Sequence, residues 1–498
     1  MTSADKPFVV IGGGISGMAA ALVLAKFGFS VVLIEKRKQL APTIRGFSRQ
    51  GTNFDTGLHY VGGLQPDGPL TRYFSFLGLS DVPFTNLCQN CFDRIRFADR
   101  AEDIQLPVGR DAIIDYLSGI FPDDRHFISS YYHQIQNLFD SSGFLNFKGN
   151  FRDATNAACK QESLACVVDK GTQNPILRTV LSIHSLLYGV SPEETPFIQH
   201  ARVAGSYLEG VKTVAGGGKI LASSFENQLA KSDVTCSCGS AVTAISYDHA
   251  GVNGVVLEDE RFVPAAGLLF TAHPSILPKL LPDGAIKPAF SRRLLSLEDT
   301  ISSHTLFCSC DSEIPSVQGN NLFVCLKTGI YHAFRPDCRL DDGPFYVSRR
   351  VPDNLVTPMN QSGLIIFAPG NIREYGEWAD SKTGQRPEAY RIFKRRRMER
   401  LLEIFLRHCP EFKKIRVLDG GTPLTNRDYL GAPLGGLYGT KHSLNQFSPL
   451  PATKIPNLWM AGQSIIAPGI LGAVISAFVA CGFIVGMEKL QAELRKCI

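Results

Sequence analysis

A glycine hexad between two apolar strands near the N-terminus, a second glycine-marked helix start near the C-terminus, and two long blocks between them predict an α/β protein. The expected architecture is a Rossmann-type dinucleotide-binding domain interrupted by an inserted α+β domain. With 498 residues, 44% of them apolar, the chain can bury a large core in more than one structural unit.

The first element is FVVIGGGISGMAAALVLAKFGFSVVLIE, residues 8–35. An apolar strand meets glycines, then an Ala/Leu-rich helix, then a strand ending in Glu35. Gly12, Gly14 and Gly17 form G-x-G-x-x-G in the βαβ setting that gives the motif meaning. The first glycine allows the tight turn, the second lets backbone approach a pyrophosphate, and the third lets helix pack on strand. The helix N-terminus then faces the phosphates. Glu35 sits where an acceptor for ribose hydroxyls is needed. An ordinary βαβ unit with a glycine-rich turn is the alternative, and the hexad alone cannot distinguish FAD from NAD.

The distinction comes from farther along. Residues 213–245 carry glycines, an amphipathic helix and a strand, and residues 262–272 (FVPAAGLLFTA) read as a buried strand. Residues 457–485, NLWMAGQSIIAPGILGAVISAFVACGFIV, read as a strand ending in Ala461-Gly462, a loop, and a helix opening at Gly472-Ala473. A second helix N-terminus at the far end of the chain suits a long, extended cofactor such as FAD. Gly462, Gln463, Pro468, Gly469 and Gly472 break this apolar stretch, so a buried strand, turn and helix are expected rather than a membrane span.

The expected division is 1–99, 213–290 and 415–498 for the dinucleotide domain, 100–212 for a largely helical insertion, and 291–414 for a substrate-domain sheet with helices. The helical reading rests on FISSYYHQIQNLF and NPILRTVLSIHSLLYGV, the strand reading on HTLFCSC, NLFVCL, GPFYVSRR and GLIIFAP. YRIFKRRRMERLLEIFL, residues 390–406, reads as a helix with a basic start. It is either a solvated face or a contact for anionic lipid headgroups.

The 13 cysteines, an odd count, argue against a disulfide scaffold and for a reducing, cytoplasmic setting. The N-terminal stretch lacks the basic and long apolar regions of a secretory signal. Cys88 and Cys91 form one C-x-x-C without a second pair, so no metal site is expected. Cys236/Cys238 and Cys308/Cys310, one residue apart, would each share one strand face and pack in the core. A net charge of +5, no basic face and no Walker or G-x-S-x-G motif exclude nucleic acid, P-loop and serine-hydrolase readings. HPS at 273–275 is too short to signal a site.

Four stretches resemble one family across nearly the whole chain. They are GGGISGMAAALVLAKFGFSVVLIEK, FDTGLHYVGG (54–63), TPLTNRDYLGAP (422–433) and IPNLWMAGQSIIAPGILGAVISA (455–477). The family is the flavin-dependent carotenoid desaturase and isomerase group, including the retinol saturases, within the amine-oxidase-like flavoproteins. The second and third stretches are the specific ones.

The resemblance implies noncovalent FAD, a tunnel for a lipophilic polyene, chemistry at a carbon–carbon double bond, and peripheral contact with a membrane. By that resemblance Gly12, Gly14, Gly17 and Glu35 hold the ADP part, and Val242 meets the adenine through its backbone. Gly462, Gly472 and Ala473 lie near the ribityl chain and ring. One departure stands out: Ala41 and Pro42 occupy the positions of a glycine pair, so a differently shaped backbone is expected there, with Arg45 placed to neutralise phosphate.

Within FDTGLHYVGG, the glycines are expected to let backbone pass close to the flavin, with His59 and Tyr60 on the substrate side as proton donors. His59 is alternatively a core histidine bonded to backbone, and Asp55 a residue bonding its own turn. Asn426, Asp428 and Tyr429 would complete the site, with His59 or Tyr429 favoured as donor.

Saturation of a polyene is the favoured activity. The alternatives are a redox-neutral cis–trans isomerase, a desaturase, or a lipid carrier without enzymatic activity. A carrier would have a degenerate nucleotide site, and an amine oxidase would carry an aromatic cage that AGQSIIAPGILGA lacks. No second G-x-G-x-x-G supports a separate NAD(P)H domain, which leaves the electron donor unnamed.

Overall fold

The computed structural model describes residues 6–87, 90–149, 151, 162–310, 314–350 and 362–497. Cys88 of the C-x-x-C pair lies outside the described residues.

Five parallel strands form the first sheet, in the order Leu458–Met460, Gly267–Phe270, Phe8–Ile11, Val31–Glu35, Val234–Cys238. Its central strands are apolar and buried along their whole length, with the antiparallel strand Gly251–Leu257 packed against Gly267–Phe270. The helix Ile15–Lys26 follows the glycines and is buried from Ile15 to Leu24. It packs against Gly469–Val485, a helix that is itself buried over most of its length. Small residues let the two axes come close: the Cys481 thiol lies 3.8 Å from the Ala20 carbonyl. The apolar stretch near the C-terminus is thus a strand, a turn and a buried helix. Among the described residues no helix is long and apolar enough to cross a membrane.

A second, seven-stranded sheet runs Arg416–Gly421, Ser302–Ser309, Leu364–Gly370, Phe345–Arg349, Asn321–Cys325, Cys91–Phe97, Ile104–Pro107. Every pairing is antiparallel except that of Asn321–Cys325 with Cys91–Phe97. This sheet takes in Cys91–Phe97 and Arg416–Gly421, so it extends past the expected boundaries at 99 and 414. Both strands pair with partners far away in sequence, and local pattern carries no signal for that.

Alternation divides the sheet's two faces. Ile95 and Phe323 meet the helical layer built around Arg125–Asp140 and Phe197–Gly205. Leu322, Val324 and Phe345 meet the helix Glu388–His408 through Leu401 and Phe405.

That last helix carries the basic run. Arg391, Lys394, Arg397 and Arg400 each pair with a carboxylate, on Glu388, Asp419, Glu374 and Asp341 respectively. The run is therefore mostly an ion-paired face.

One cysteine pair departs from expectation. Cys308 and Cys310 are buried, but Cys236 and Cys238 are exposed. Their strand is the edge of the parallel sheet, where one flank has no neighbour to cover it.

Candidate active site

A cavity of about 540 Å³ opens at the carboxyl ends of the parallel strands and reaches the face of the second sheet. Its first wall is the glycine turn. Gly12 holds φ at +107°, a backbone conformation that side chains disfavour. A Cβ on Gly14 would meet nothing within 4 Å and would project into the cavity. A Cβ on Gly17 would lie 1.8 Å from the Gly12 carbonyl oxygen. The second glycine therefore leaves room for a ligand, and the third seats the helix.

Ser16 lines the same wall, and its buried hydroxyl has no partner among the described residues. An orphaned hydroxyl beside a helix N-terminus suits a phosphate oxygen. Glu35 lines the cavity while its carboxylate accepts from the Gly13 amide at 2.7 Å and the Arg37 amide at 2.8 Å. A carboxylate has further acceptor positions for ribose hydroxyls. Val242 also lines the cavity. These features fit the adenosine diphosphate half of FAD.

The residues after Glu35 turn back toward the glycine turn at Ala41. Ala41 adopts φ +51°, is buried, and donates its amide to the Gly13 carbonyl at 2.7 Å. Alanine thus holds a left-handed conformation that glycine adopts more readily. Arg45 is not at the cavity. Its guanidinium pairs with Glu226 and donates to the Leu40 carbonyl at 2.7 Å, because the helix Gly218–Ala230 presents that carboxylate beside it. Lys36 and Arg37 line the cavity beside Glu35 instead, and Arg202 lines it farther along.

A second helix N-terminus faces the same space. Gly462, Gly472 and Ala473 all line it. Gly462 has φ +116° and donates its amide to the Ser476 hydroxyl at 3.0 Å, which ties the turn to the helix. A Cβ on Gly472 would strike the Ala467 carbonyl at 2.3 Å.

FDTGLHYVGG crosses from the first sheet to the second. Gly57 and Gly62 line the cavity, and each also sits tight against protein backbone. A Cβ on Gly57 would meet the Thr43 carbonyl oxygen at 2.4 Å, and one on Gly62 the Ser206 carbonyl oxygen at 2.1 Å. Asp55 does not bond its own turn. It is buried, accepts from the Gly218 amide at 3.0 Å and pairs with Arg350 at 3.2 Å. It therefore anchors the start of the helix Gly218–Ala230.

His59 and Tyr60 both line the cavity. The His59 ring stands edge-on to Phe367 at 5.4 Å and to Tyr346 at 5.9 Å. Burial lowers its imidazole to about 4, so it is neutral at pH 7. Tyr60 is pushed well above the usual phenol value, by burial first and then by the Asp93 charge. Its proton stays in place at any working pH. Of these two neighbours, then, it is the phenol rather than the imidazole that retains a transferable proton at neutrality.

Tyr429 lines the same cavity, but at its open rim. It is 52% exposed and stacks under Arg37, 5.3 Å from guanidinium carbon to ring centre. That is the rim beside Glu35, away from the Tyr346 and Phe367 wall. Asn426 donates to the Ser302 hydroxyl at 3.2 Å and to the Ser303 carbonyl at 3.2 Å. Asp428 pairs with Arg386 and Arg427. Both residues belong to the helix Pro423–Leu430, tie it to its surroundings and do not line the cavity.

Sequence reading missed several cavity residues. His273 lines it, and its ring bridges Ser275 at 2.8 Å and Asp299 at 2.9 Å. Tyr207, Tyr346 and Tyr438 also line it. They lie in separate segments, and no local motif marks them.

Two buried histidines away from the cavity set an acid limit on stability. His200 and His304 are each 1% exposed, and burial lowers them to about 3 and about 4. Their ordinary value is 6.5, so the unfolded chain takes up protons that the folded chain refuses. Stability is full above about pH 6.5 and falls as pH drops toward 4, with a limiting slope for the pair of about 3 kcal/mol per pH unit. Thermal unfolding from pH 7.5 to 4.5 should show a steep fall below pH 6. A melting temperature unchanged down to pH 5 would contradict these two assignments.

A parallel glycine-bearing sheet, two helix N-termini on one cavity and a second sheet closing it together define an amine-oxidase-like dinucleotide-binding oxidoreductase. The sequence model of the NAD(P)-binding Rossmann-like domain matches residues 10–77. The all-trans-retinol 13,14-reductase of Danio rerio is 27% identical, covering 98% of this chain and 87% of its own. A 4,4'-diapophytoene desaturase of Staphylococcus aureus is 20% identical, covering 74% of this chain and 77% of its own. The solved cyclohexylamine oxidase from Brevibacterium oxydans superposes with a TM-score of 0.61 at 15% identity, covering 99% of both chains. Over nearly its whole length the chain is similar to the retinol 13,14-reductases, and over about three quarters of it to the diapophytoene desaturases.

Proposed function

We propose that the chain binds FAD across the two helix N-termini and reduces a carbon–carbon double bond of a lipophilic polyene, of retinoid or carotenoid type. The continuity of the cavity carries this reading. One space is lined by Gly14, Ser16 and Glu35 and also by His59, Tyr60, Tyr346 and Phe367. FAD, when bound, supplies hydride to one carbon of the alkene.

The protein residues divide the remaining work. Gly12, Gly14, Gly17, Glu35 and Val242 hold the adenosine diphosphate part, and Gly462, Gly472 and Ala473 the ribityl and ring part. Tyr60 gives its Oη proton to the second alkene carbon. His59, neutral, shapes the aromatic wall with Tyr346 and Phe367. Those rings exclude water and stack along a conjugated chain. Reduction is favoured over desaturation because the reductase relatives match over a larger share of the chain at higher identity.

The test is anaerobic. The purified yellow protein is photoreduced and mixed with all-trans-retinol or a short carotenoid, and flavin absorbance is followed with product mass. Flavin reoxidation with a gain of two hydrogens is the expected result. A product of unchanged mass and new geometry would mean an isomerase. A colourless protein that binds polyene would mean a carrier.

A further inference from the structure

Behind Tyr60 lies a polar cluster that none of the motifs predicts. Asp93, in the strand Cys91–Phe97, is 0% exposed, and among the described residues no lysine or arginine pairs with it. Its Oδ2 faces His184 Nε2 at 2.9 Å and accepts the Tyr60 hydroxyl at 3.3 Å. Its Oδ1 accepts from Asn321 Nδ2 at 3.2 Å, and Asn321 Oδ1 accepts the Tyr346 hydroxyl at 3.0 Å. A buried carboxylate is costly unless hydrogen-bonded, and apolar packing would fill the same volume more stably. Here the bonds lead to two phenols that line the cavity. His184 is held over this carboxylate by rings on two sides, with Phe92 stacked at 6.2 Å and Tyr207 edge-on at 5.7 Å.

We propose that Asp93 and His184 are the proton reservoir of Tyr60, returning through Asp93 Oδ2 the proton that Tyr60 Oη delivers to the alkene. The inference rests on the reading of Tyr60 as donor. In the reduction the alkene π bond breaks and two C–H bonds form, one with hydride from the reduced flavin and one with the Tyr60 proton. The Tyr60 O–H bond breaks and re-forms as the His184 Nε2–H bond breaks, its proton crossing Asp93 Oδ2, and His184 then takes a proton from a solvent hydronium ion, which leaves as water. Asp93 and His184 are positioning residues, since neither lines the cavity. The other titratable groups facing this cluster are Tyr207, Tyr346 and Tyr438 around Tyr60, and His200 beside His184.

Two readouts test the proposal, on Asp93→Asn and His184→Gln. The first needs no cofactor: the flavin-free protein is labelled with [¹³Cζ]tyrosine, and the Tyr60 resonance, assigned with Tyr60→Phe, is compared between wild type and variant at one neutral pH, where the phenol keeps its proton. Asp93→Asn should move the Tyr60 Cζ shift, because the acceptor of its hydroxyl changes from a carboxylate to an amide.

The second readout is turnover. Each variant should complete a first turnover near the wild-type rate, using the proton Tyr60 already carries, and then slow at least tenfold in steady state. KM for the polyene should change less than about twofold. A Tyr60 Cζ shift unmoved by Asp93→Asn, or variants with wild-type steady-state rates, would overturn the proposal. Should Asp93→Asn fail to fold, the first-turnover and steady-state rates of His184→Gln decide. If the wild-type protein reduces no polyene, the proposed function fails, while the tyrosine resonance still tests the coupling.

Discussion

Gly17→Ala is expected to unfold the nucleotide domain, whereas Gly14→Ala should leave it folded and cost it FAD. The two substitutions add the same methyl group to the same turn. At Gly17 the new Cβ would sit 1.8 Å from the Gly12 carbonyl oxygen and 3.2 Å from Thr271 Oγ1. Both neighbours are fixed. Thr271 donates its hydroxyl to the Ile11 carbonyl at 2.8 Å, and Gly12 donates its amide to the Ile34 carbonyl at 2.8 Å. The helix must therefore lift off the sheet, at a cost of about 3 kcal/mol or more. That is a large share of a typical domain's stability.

At Gly14 the methyl meets nothing within 4 Å and enters the cavity instead. The flavin-free melting temperature should be unchanged within about 2 °C, since no contact is lost. FAD affinity should fall at least tenfold, about 1.4 kcal/mol. Thermal melts of flavin-free protein and a flavin-fluorescence titration separate the two effects. If Gly14→Ala bound FAD as tightly as the wild type, the pyrophosphate would not lie against this turn.

Tyr60→Phe should reduce the rate of alkene reduction by about 10²- to 10⁴-fold, the usual worth of a general acid. His59→Gln should cost less than about tenfold. The two residues are adjacent in sequence and line one cavity, so position does not separate them. Protonation does. His59, lowered to about 4, holds no extra proton at neutrality, while Tyr60 keeps its hydroxyl proton. Reoxidation of prereduced enzyme by the polyene, followed in single turnover, would give the two rates. The wild-type rate should be flat from pH 6 to 9. A rate that falls as pH rises through the range in which an imidazole titrates would return the donor role to His59.

The contrast between these neighbours shows where sequence reading stops. His59 reads as a proton donor because a histidine in water titrates near neutrality. Only its setting against Phe367 and Tyr346 removes that property. Tyr429 is drawn into the proposed chemistry by its motif, yet the helix Pro423–Leu430 delivers it to an exposed rim over Arg37. Arg45 follows the acidic residue at a distance that suits a phosphate, yet Glu226 from a distant helix takes its charge. In each case the side chain's role was set by a partner far away in the chain.

The sequence by itself determined the nucleotide half of this protein. Gly12, Gly14, Gly17 and Glu35 lie within one βαβ unit, where a turn, a close approach and a helix N-terminus are properties of neighbouring residues. The buried strand, turn and helix of residues 457–485 were legible for the same reason. Tertiary structure alone decided the other half. It added Cys91–Phe97 to a sheet whose other strands come mostly from residues 302–421, and it set Tyr60, Asp93, His184, Asn321 and Tyr346 around one buried carboxylate. Those five residues belong to five separate segments. A carboxylate's partners, and the burial that makes them matter, depend on distances in space that no local pattern encodes.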